Sequence, residues 1–165
     1  MNLEQFNRAN RDDAMAAIRP CMDIERWIAG VVDGRPYAGA NALLEQARTA
    51  ANPLQPAEID AALAHHPRIG ERAAGNGAEA SMSSAEQAGL GDSSTELEQA
   101  LAQGNRDYEA RFDRVFLIRA AGRDRQEVLA ELRRRMGNDN ATELQEVGAQ
   151  LREIALLRLQ EVVHA

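Results

Sequence analysis

The sequence contains no lysine, and all nineteen of its basic residues are arginine. That absence removes Schiff-base catalysis, attachment of pyridoxal phosphate and the phosphate-loop lysine together. There is one cysteine, Cys21, so the chain alone can build no disulfide, thiolate zinc site or iron–sulfur cluster. Cys21 lies between Pro20 and Met22, where an inert, partly buried thiol is expected rather than a nucleophile. No apolar run approaches membrane-spanning length, and Met1-Asn2-Leu3-Glu4 lacks a basic-then-apolar secretion pattern. The last residues, Val162-Val163-His164-Ala165, form no peroxisomal signal, so a cytoplasmic protein is expected. A net charge of −7 argues against nucleic acid and anionic membranes as partners. The one dense basic run, Arg133-Arg134-Arg135, fans around a helix and is expected to form a solvated face.

Hydrophobic residues make up 44% of 165 positions, enough for one domain with a real core. Alanine, leucine, glutamate, glutamine and arginine dominate, and β-branched runs are confined to 31–32, 115–118 and 162–163. Helices are predicted over Leu3 to Ala9, from a cap at Asp12 or Asp13 to Arg19, over 24–34, over Asn41 to Ala51, and from Pro56 towards His66. Residues 70–82, rich in glycine and alanine, read as a loop able to cover a pocket. Ser83 followed three residues later by Glu86 reads as a capping box for a short helix ending at Gly89. Further helices are predicted over 94–111, over Arg125 to Met136, and from Ala141-Thr142 almost to the end. The chain is therefore expected to be all-α, a single-domain, bundle-like array of about eight helices over residues 1–165.

Two features stand out against that background. The stretch His65-His66-Pro67-Arg68-Ile69-Gly70-Glu71 holds two of the three histidines. Proline disfavours the helical region for the residue before it, so the preceding helix should end near His65 and leave His66 on an extended turn facing a cleft. Ordinary surface histidines are the competing reading. A metal site of His65, His66 and Glu71 is another, although adjacent histidines on one loop rarely converge on one ion. The second feature lies in the last helix, whose apolar stripe is Leu144, Val147, Leu151, Ile154, Ala155 and Val162. At about 100° per residue Arg158 falls inside that stripe, while Arg152 falls towards its edge. A core-facing arginine needs an anion or a set of acceptors. Both an ion pair with a glutamate on a neighbouring helix and a clamp for a carboxylate or ureido group would meet that need.

Taken in order, several segments resemble the 2-oxo-4-hydroxy-4-carboxy-5-ureidoimidazoline (OHCU) decarboxylases of urate degradation. They are His66-Pro67-Arg68-Ile69-Gly70, Ser83-Ser84-Ala85-Glu86-Gln87, Tyr108-Glu109-Ala110-Arg111-Phe112 and Val115-Phe116-Leu117-Ile118. Arg135-Met136-Gly137-Asn138-Asp139 with Glu143, and Ile154 through Arg158-Leu159, continue the series. Trp27 and Arg35-Pro36-Tyr37 fit the N-terminal part, so the resemblance covers nearly the whole chain. It implies an all-helical, cofactor-free enzyme, a homodimer, that binds a small ureidoimidazoline and converts it to S-allantoin and carbon dioxide. It implies His66, Glu86 and Arg158 as catalytic residues. Pro67, Ser83, Ser84, Gln87, Phe116, Leu117 and Ile118 are implied as substrate-binding residues, with no metal. Asp113 stands where many members carry glycine after phenylalanine.

The chemistry is consistent with the missing cofactor machinery. Such a substrate carries its own electron sink, a ring imine beside the carbon that bears carboxylate and hydroxyl. Proton transfer near neutrality suits histidine. His66 is expected to take the hydroxyl proton, Glu86 to orient His66 or bind ureido N–H groups, and Arg158 to hold ring or ureido oxygens. His65 is expected to be structural and His164 to lie on the surface at a frayed terminus. Two alternatives stay open. A non-catalytic helical interaction module predicts no cleft around His66 and Arg158 and an exposed apolar stripe instead. A metal-dependent amidohydrolase-type enzyme is the other.

Overall fold

The chain order is α1 (Leu3–Arg8), α2 (Arg11–Ile18), α3 (Glu25–Asp33), α4 (Ala40–Thr49), α5 (Pro56–Leu63), α6 (Ala78–Ala88), α7 (Thr95–Phe112), α8 (Arg125–Arg135) and α9 (Asn140–Val162). The structure, a computed structural model, describes residues 1–71, 77–91 and 93–164. The described residues thus form nine helices and no strand, all-α as expected with one helix more than the sequence suggested.

Side-chain caps explain where several helices begin. Asn10, Ser94, Asp124 and Asp139 each accept the N–H three residues on, at 2.8, 3.2, 2.8 and 2.7 Å. The cap of α2 is therefore Asn10, not Asp12 or Asp13. Those aspartates sit in the first turn, where their charge complements the helix dipole. At the far end of α7 the chain turns through Asp113 at φ 55°, a left-handed position that suits glycine and that aspartate tolerates. The C-terminal end is pinned rather than frayed. Leu3 N–H donates to His164 O at 2.9 Å and the Met1 ammonium to Val162 O at 2.9 Å, although the His164 side chain is exposed.

The apolar side chains separate into two cores. The larger gathers Phe6, Ile18, Trp27, Ile28, Val31, Leu43 and Ile59 against the inner face of α9, from Val147 to Leu159. The smaller lies between α7 and α8, built on Leu101, Tyr108, Phe112, Phe116, Val128 and Leu132. Residues 115–120 run between them without helical structure. Phe116, Ile118 and Ala120 pack into the smaller core and Leu117 into the larger. That alternation is the signature of extended backbone.

One basic residue was misassigned by the helical fan of its neighbours. Arg135 is 1% exposed, not solvated. Its guanidinium holds Glu143 Oε1 through Nε at 2.8 Å and Nη2 at 2.5 Å. Arg133 and Arg134 are exposed.

Close approach shapes the corner after α3. An added Cβ on Gly34 would lie 2.5 Å from the Tyr37 hydroxyl, which donates to the Val31 carbonyl. Gly34→Ala should therefore destabilise the protein by about 1–3 kcal/mol in urea unfolding, the range for overpacking. Adding Tyr37→Phe should recover part of that loss, and strictly additive losses would contradict the contact.

Candidate active site

The helix before the histidines ends earlier than its sequence suggests. α5 stops at Leu63, and a turn follows in which His65 N–H meets Ala62 O at 3.2 Å and His66 N–H meets Leu63 O at 3.0 Å. The loop after Pro67 is fastened from two sides. Asn105 of α7 donates to Ile69 O at 3.2 Å, and Arg68 forms a two-bonded pair with Glu109 at 2.5 and 3.1 Å. Gln87 of α6 accepts Gly70 N–H at 3.0 Å and donates to Arg68 O and Glu71 O, each at 3.2 Å. Both ends of the Gln87 amide are thus spent on the loop.

The capping box expected at Ser83–Glu86 is not there. α6 starts at Ala78 after Gly77, because Ala78-Glu79-Ala80-Ser81-Met82 are good helix formers that carry it further towards the N-terminus. Residues 78–82 of the expected 70–82 loop are helical, and 72–76 lie outside the described residues. Ser83 and Glu86, three apart in mid-helix, share one face. That face meets Arg158 of α9. Arg158 Nε and Nη2 bind the two Glu86 carboxylate oxygens at 2.7 and 3.0 Å, Nη2 also reaches Ser83 Oγ at 3.1 Å, and Nη1 reaches Pro20 O at 3.1 Å. Arg158 is 1% exposed, so its place in the apolar stripe is real and its charge is compensated within the fold. Four of its five N–H donors are engaged; the remaining one is on Nη1, with Glu79 at 4.0 Å. Ser84 is exposed, and the fold does not bring it to this cluster.

His66, Pro67, Ser83, Glu86, Gln87, Phe116, Leu117 and Ile118 line one small cavity of about 20 Å³, room for little more than a water. Eight of the ten residues expected at the site therefore converge on it. A second cavity of about 210 Å³ is lined by Arg158, Arg119, Leu157 and Glu161, and shares Glu86, Ala120 and Ile154 with the first. Glu86 lines both cavities, the first together with His66 and the second together with Arg158. Larger cavities of about 550 and 700 Å³ touch neither His66 nor Arg158.

The electrostatics keep His66 neutral. Burial pushes the His66 imidazole down to about 4, helped by the Arg158 cation and by His65. Burial pushes the Cys21 thiol up to about 12, which leaves it inert as expected. The His65 imidazole lies outside the cavity, 3.5 Å from Asp23 and 3.7 Å from Glu79, while Glu71 lies 3.4 Å from Arg68. His65 and Glu71 thus point to different partners, while His66 lines the cavity.

Sequence reasoning missed Arg119 and Ala120 on the cavity walls and the part Arg135 plays behind them. Arg119 and Ala120 simply continue the segment that lines the first cavity. For Arg135, a glutamate eight residues on, across a helix break, was the available signal.

A sequence model of OHCU decarboxylase matches residues 7–160. The chain belongs to the OHCU decarboxylase family. It is 29% identical over 137 residues to a 2-oxo-4-hydroxy-4-carboxy-5-ureidoimidazoline decarboxylase of Amia calva, covering 82% of this chain and 78% of that one. It is 24% identical to a uric acid degradation bifunctional protein of Bacillus sp. (strain TB-90), covering 98% of this chain and 32% of that one. The chain thus spans about a third of the Bacillus protein. Among solved structures it resembles an OHCU decarboxylase crystallised in the presence of (S)-allantoin, with a TM-score of 0.67, 23% identity, and 87% and 94% of the two chains covered. It also resembles an (S)-allantoin synthase, with a TM-score of 0.70, 12% identity, and 99% and 54% covered. These two likenesses establish the fold.

Because the folded state holds His66 neutral, the unfolded chain binds more protons between about pH 6.5 and pH 4. Stability contributed by the neutral imidazole is intact above that window and is lost as pH falls through it, by up to about 3 kcal/mol. His66→Gln should therefore lose less stability than wild type between pH 6.5 and 4 in urea unfolding. Parallel profiles would show that His66 titrates normally.

Proposed function

We propose that this chain decarboxylates OHCU to S-allantoin and carbon dioxide without a cofactor. The observation that carries the reading is the meeting, around one cavity, of a neutral histidine, a glutamate that Arg158 holds from the adjoining cavity and the non-helical segment Phe116-Leu117-Ile118. Family membership and the names of its relatives support it. The interaction-module alternative is disfavoured. A cleft exists, and among the described residues Met1 and Leu157 are the exposed large hydrophobics rather than a continuous stripe.

In this reading neutral His66 takes the proton of the substrate hydroxyl. The carbon–carboxylate bond breaks and carbon dioxide leaves. The electron pair forms a double bond to the neighbouring ring carbon, and the imine nitrogen takes the displaced pair. The nitrogen and that neighbouring carbon each take a proton, one returned by the imidazolium and one from water, and the oxygen becomes a carbonyl, which completes S-allantoin. Glu86 acts first on Arg158, which it fixes by two bonds, rather than on His66. Arg158 then supplies fixed positive charge beside the cavity, where substrate oxygens compete with Ser83 and Pro20 for its donors. Pro67, Ser83, Gln87, Phe116, Leu117 and Ile118 shape the pocket. Ser84, exposed and outside the cavity, has no part in this reading. The cavity must widen for substrate, and the Glu86–Arg158 partition is where it can join its neighbour. Assembly as a homodimer and residence in the cytoplasm belong to the same proposal, the first read by sedimentation of the purified chain.

Urate, oxidised and hydrolysed in situ, should give optically active allantoin faster when the protein is added, as followed by circular dichroism. No acceleration over spontaneous decay would remove the function. His66→Ala should nearly abolish turnover while melting cooperatively, and a folded, fully active variant would remove the role of His66. The acid limb of kcat/KM should lie near pH 4, and that of kcat higher, because a bound carboxylate favours the imidazolium.

A further inference from the structure

The wall of the cavity is held from behind by a buried ion pair that does not itself line the pocket. Arg135 and Glu143 are 1% and 0% exposed. Besides its two bonds to Glu143, Arg135 donates through Nη1 to Leu117 O at 2.7 Å. Its guanidinium stacks 4.5 Å from the Phe116 ring centroid. Glu143 is saturated in turn. Tyr108 donates its hydroxyl to Oε1 at 2.6 Å, and Asn138 donates to Oε2 at 3.0 Å. Burial together with Glu143 raises the Tyr108 hydroxyl well above its ordinary range, so it stays a donor. Tyr108 also meets Phe116 edge-on at 5.1 Å.

The consequence for the cavity follows from peptide planarity. The described cis bonds are at Arg35-Pro36 and Asn52-Pro53, so the Leu117–Ile118 peptide is trans. In a trans peptide the carbonyl and the following N–H point in opposite directions. Holding Leu117 O on Arg135 therefore aims Ile118 N–H away from Arg135, and no described residue accepts that N–H. Ile118 lines the cavity beside His66. A second tether, Arg119 N–H to Gln150 Oε1 at 2.8 Å, fixes the next peptide.

We propose that the Arg135–Glu143 pair, clamped by Tyr108, is a positioning device for the reaction, setting the Leu117–Ile118 peptide as a fixed dipole at the cavity wall. The proposal rests on the reading of this cavity as the decarboxylation site. Its effect is carried through Leu117 and is distinct from contact with substrate.

Arg135→Lys keeps the charge opposite Glu143 but loses the fork that reaches Glu143 and Leu117 together. In a folded sample kcat should fall about 10–100-fold, the scale for a displaced wall, with KM within about threefold. Hydrogen exchange in the 115–120 peptide should quicken. Tyr108→Phe should act in the same direction, by about two- to tenfold in kcat, and serves as the test if Arg135→Lys does not fold. Arg152→Lys is the control. Arg152 also ties carbonyls, those of Ala47, Ala50 and Ala51, but far from this wall. It should cost stability while leaving kcat per folded molecule and 115–120 exchange unchanged.

Unchanged kcat in folded Arg135→Lys, or unchanged exchange at 115–120, overturns the proposal. So does an equal loss of kcat in Arg152→Lys, which would mark a general stability effect. If wild type shows no decarboxylation, the functional reading fails, and the claim of a catalytic positioning role fails with it. The exchange measurement then still reports separately whether the pair holds the segment.

Discussion

A guanidinium that leaves water must be met by acceptors inside the protein, and this fold answers that demand twice along α9. Glu143 in its first turn takes Arg135, and Arg158 near its end takes Glu86 and Ser83. Breaking either pair would leave a charge buried without compensation, at a cost of about 3–5 kcal/mol. The partners come from α6 and α8, so α9 is joined by charge to elements whose apolar contacts lie largely elsewhere. Arginine suits both places because it keeps its charge at any accessible pH and binds two oxygens at once. The forks are used differently: Arg158 grips both oxygens of Glu86, while Arg135 puts two donors on one oxygen of Glu143 and the third on Leu117 O.

The two pairs bracket the seam between the two cores. Phe116 and Ile118 belong to one core and Leu117 to the other, so the segment cannot slip by one residue without exchanging apolar sides. A non-helical stretch at the meeting of two packed bodies has peptide groups that no helix takes up, and one left buried without a partner costs about 1–3 kcal/mol until a ligand or water meets it. The site is assembled there. The loop with His66 is fixed by Gln87, Asn105 and the Arg68–Glu109 pair, and the opposite wall by Arg135 and Gln150.

Much of this was legible in the residues. Proline at 67 was enough to place His66 off the helix, and helical spacing was enough to put Arg158 in the buried stripe. What periodicity cannot supply is the partner. Whether Arg158 met a glutamate or was left for a ligand depended on the register of α6, and that register was misread. Ser83 and Glu86 have the spacing of a capping box, but the same spacing puts two side chains on one face of a continuing helix. The ambiguity is intrinsic, and it was decided by the helix-forming residues upstream. Arg135 was lost for a related reason. In a run of three arginines the sequence does not mark plainly which one turns inward, and Val128 and Leu132 on the same face, with Glu143 beyond the helix break, are the hints. Gln87 was assigned to substrate by the family resemblance, yet its amide is complementary to the three backbone groups of the loop beside it.

The depressed basicity of His66 gives the proposed chemistry a direction. In the empty cavity the imidazole is neutral and weak, held so by burial and by the Arg158 cation. A substrate carboxylate placed beside it favours the imidazolium and makes it a stronger base when a hydroxyl proton must be taken. Carbon dioxide leaves neutral, so the negative charge stays on the ring nitrogen and oxygen, and the imidazolium, pressed by the same burial and cation, gives its proton up to that anion. The charge that stays behind thus resets the base, which is one way a site can cycle a proton with no metal or cofactor to hold it. Arg158 can serve in that cycle only because Glu86 keeps it in place. Unpaired, so close to His66, its charge would depress the imidazole further and weaken the base it is meant to assist.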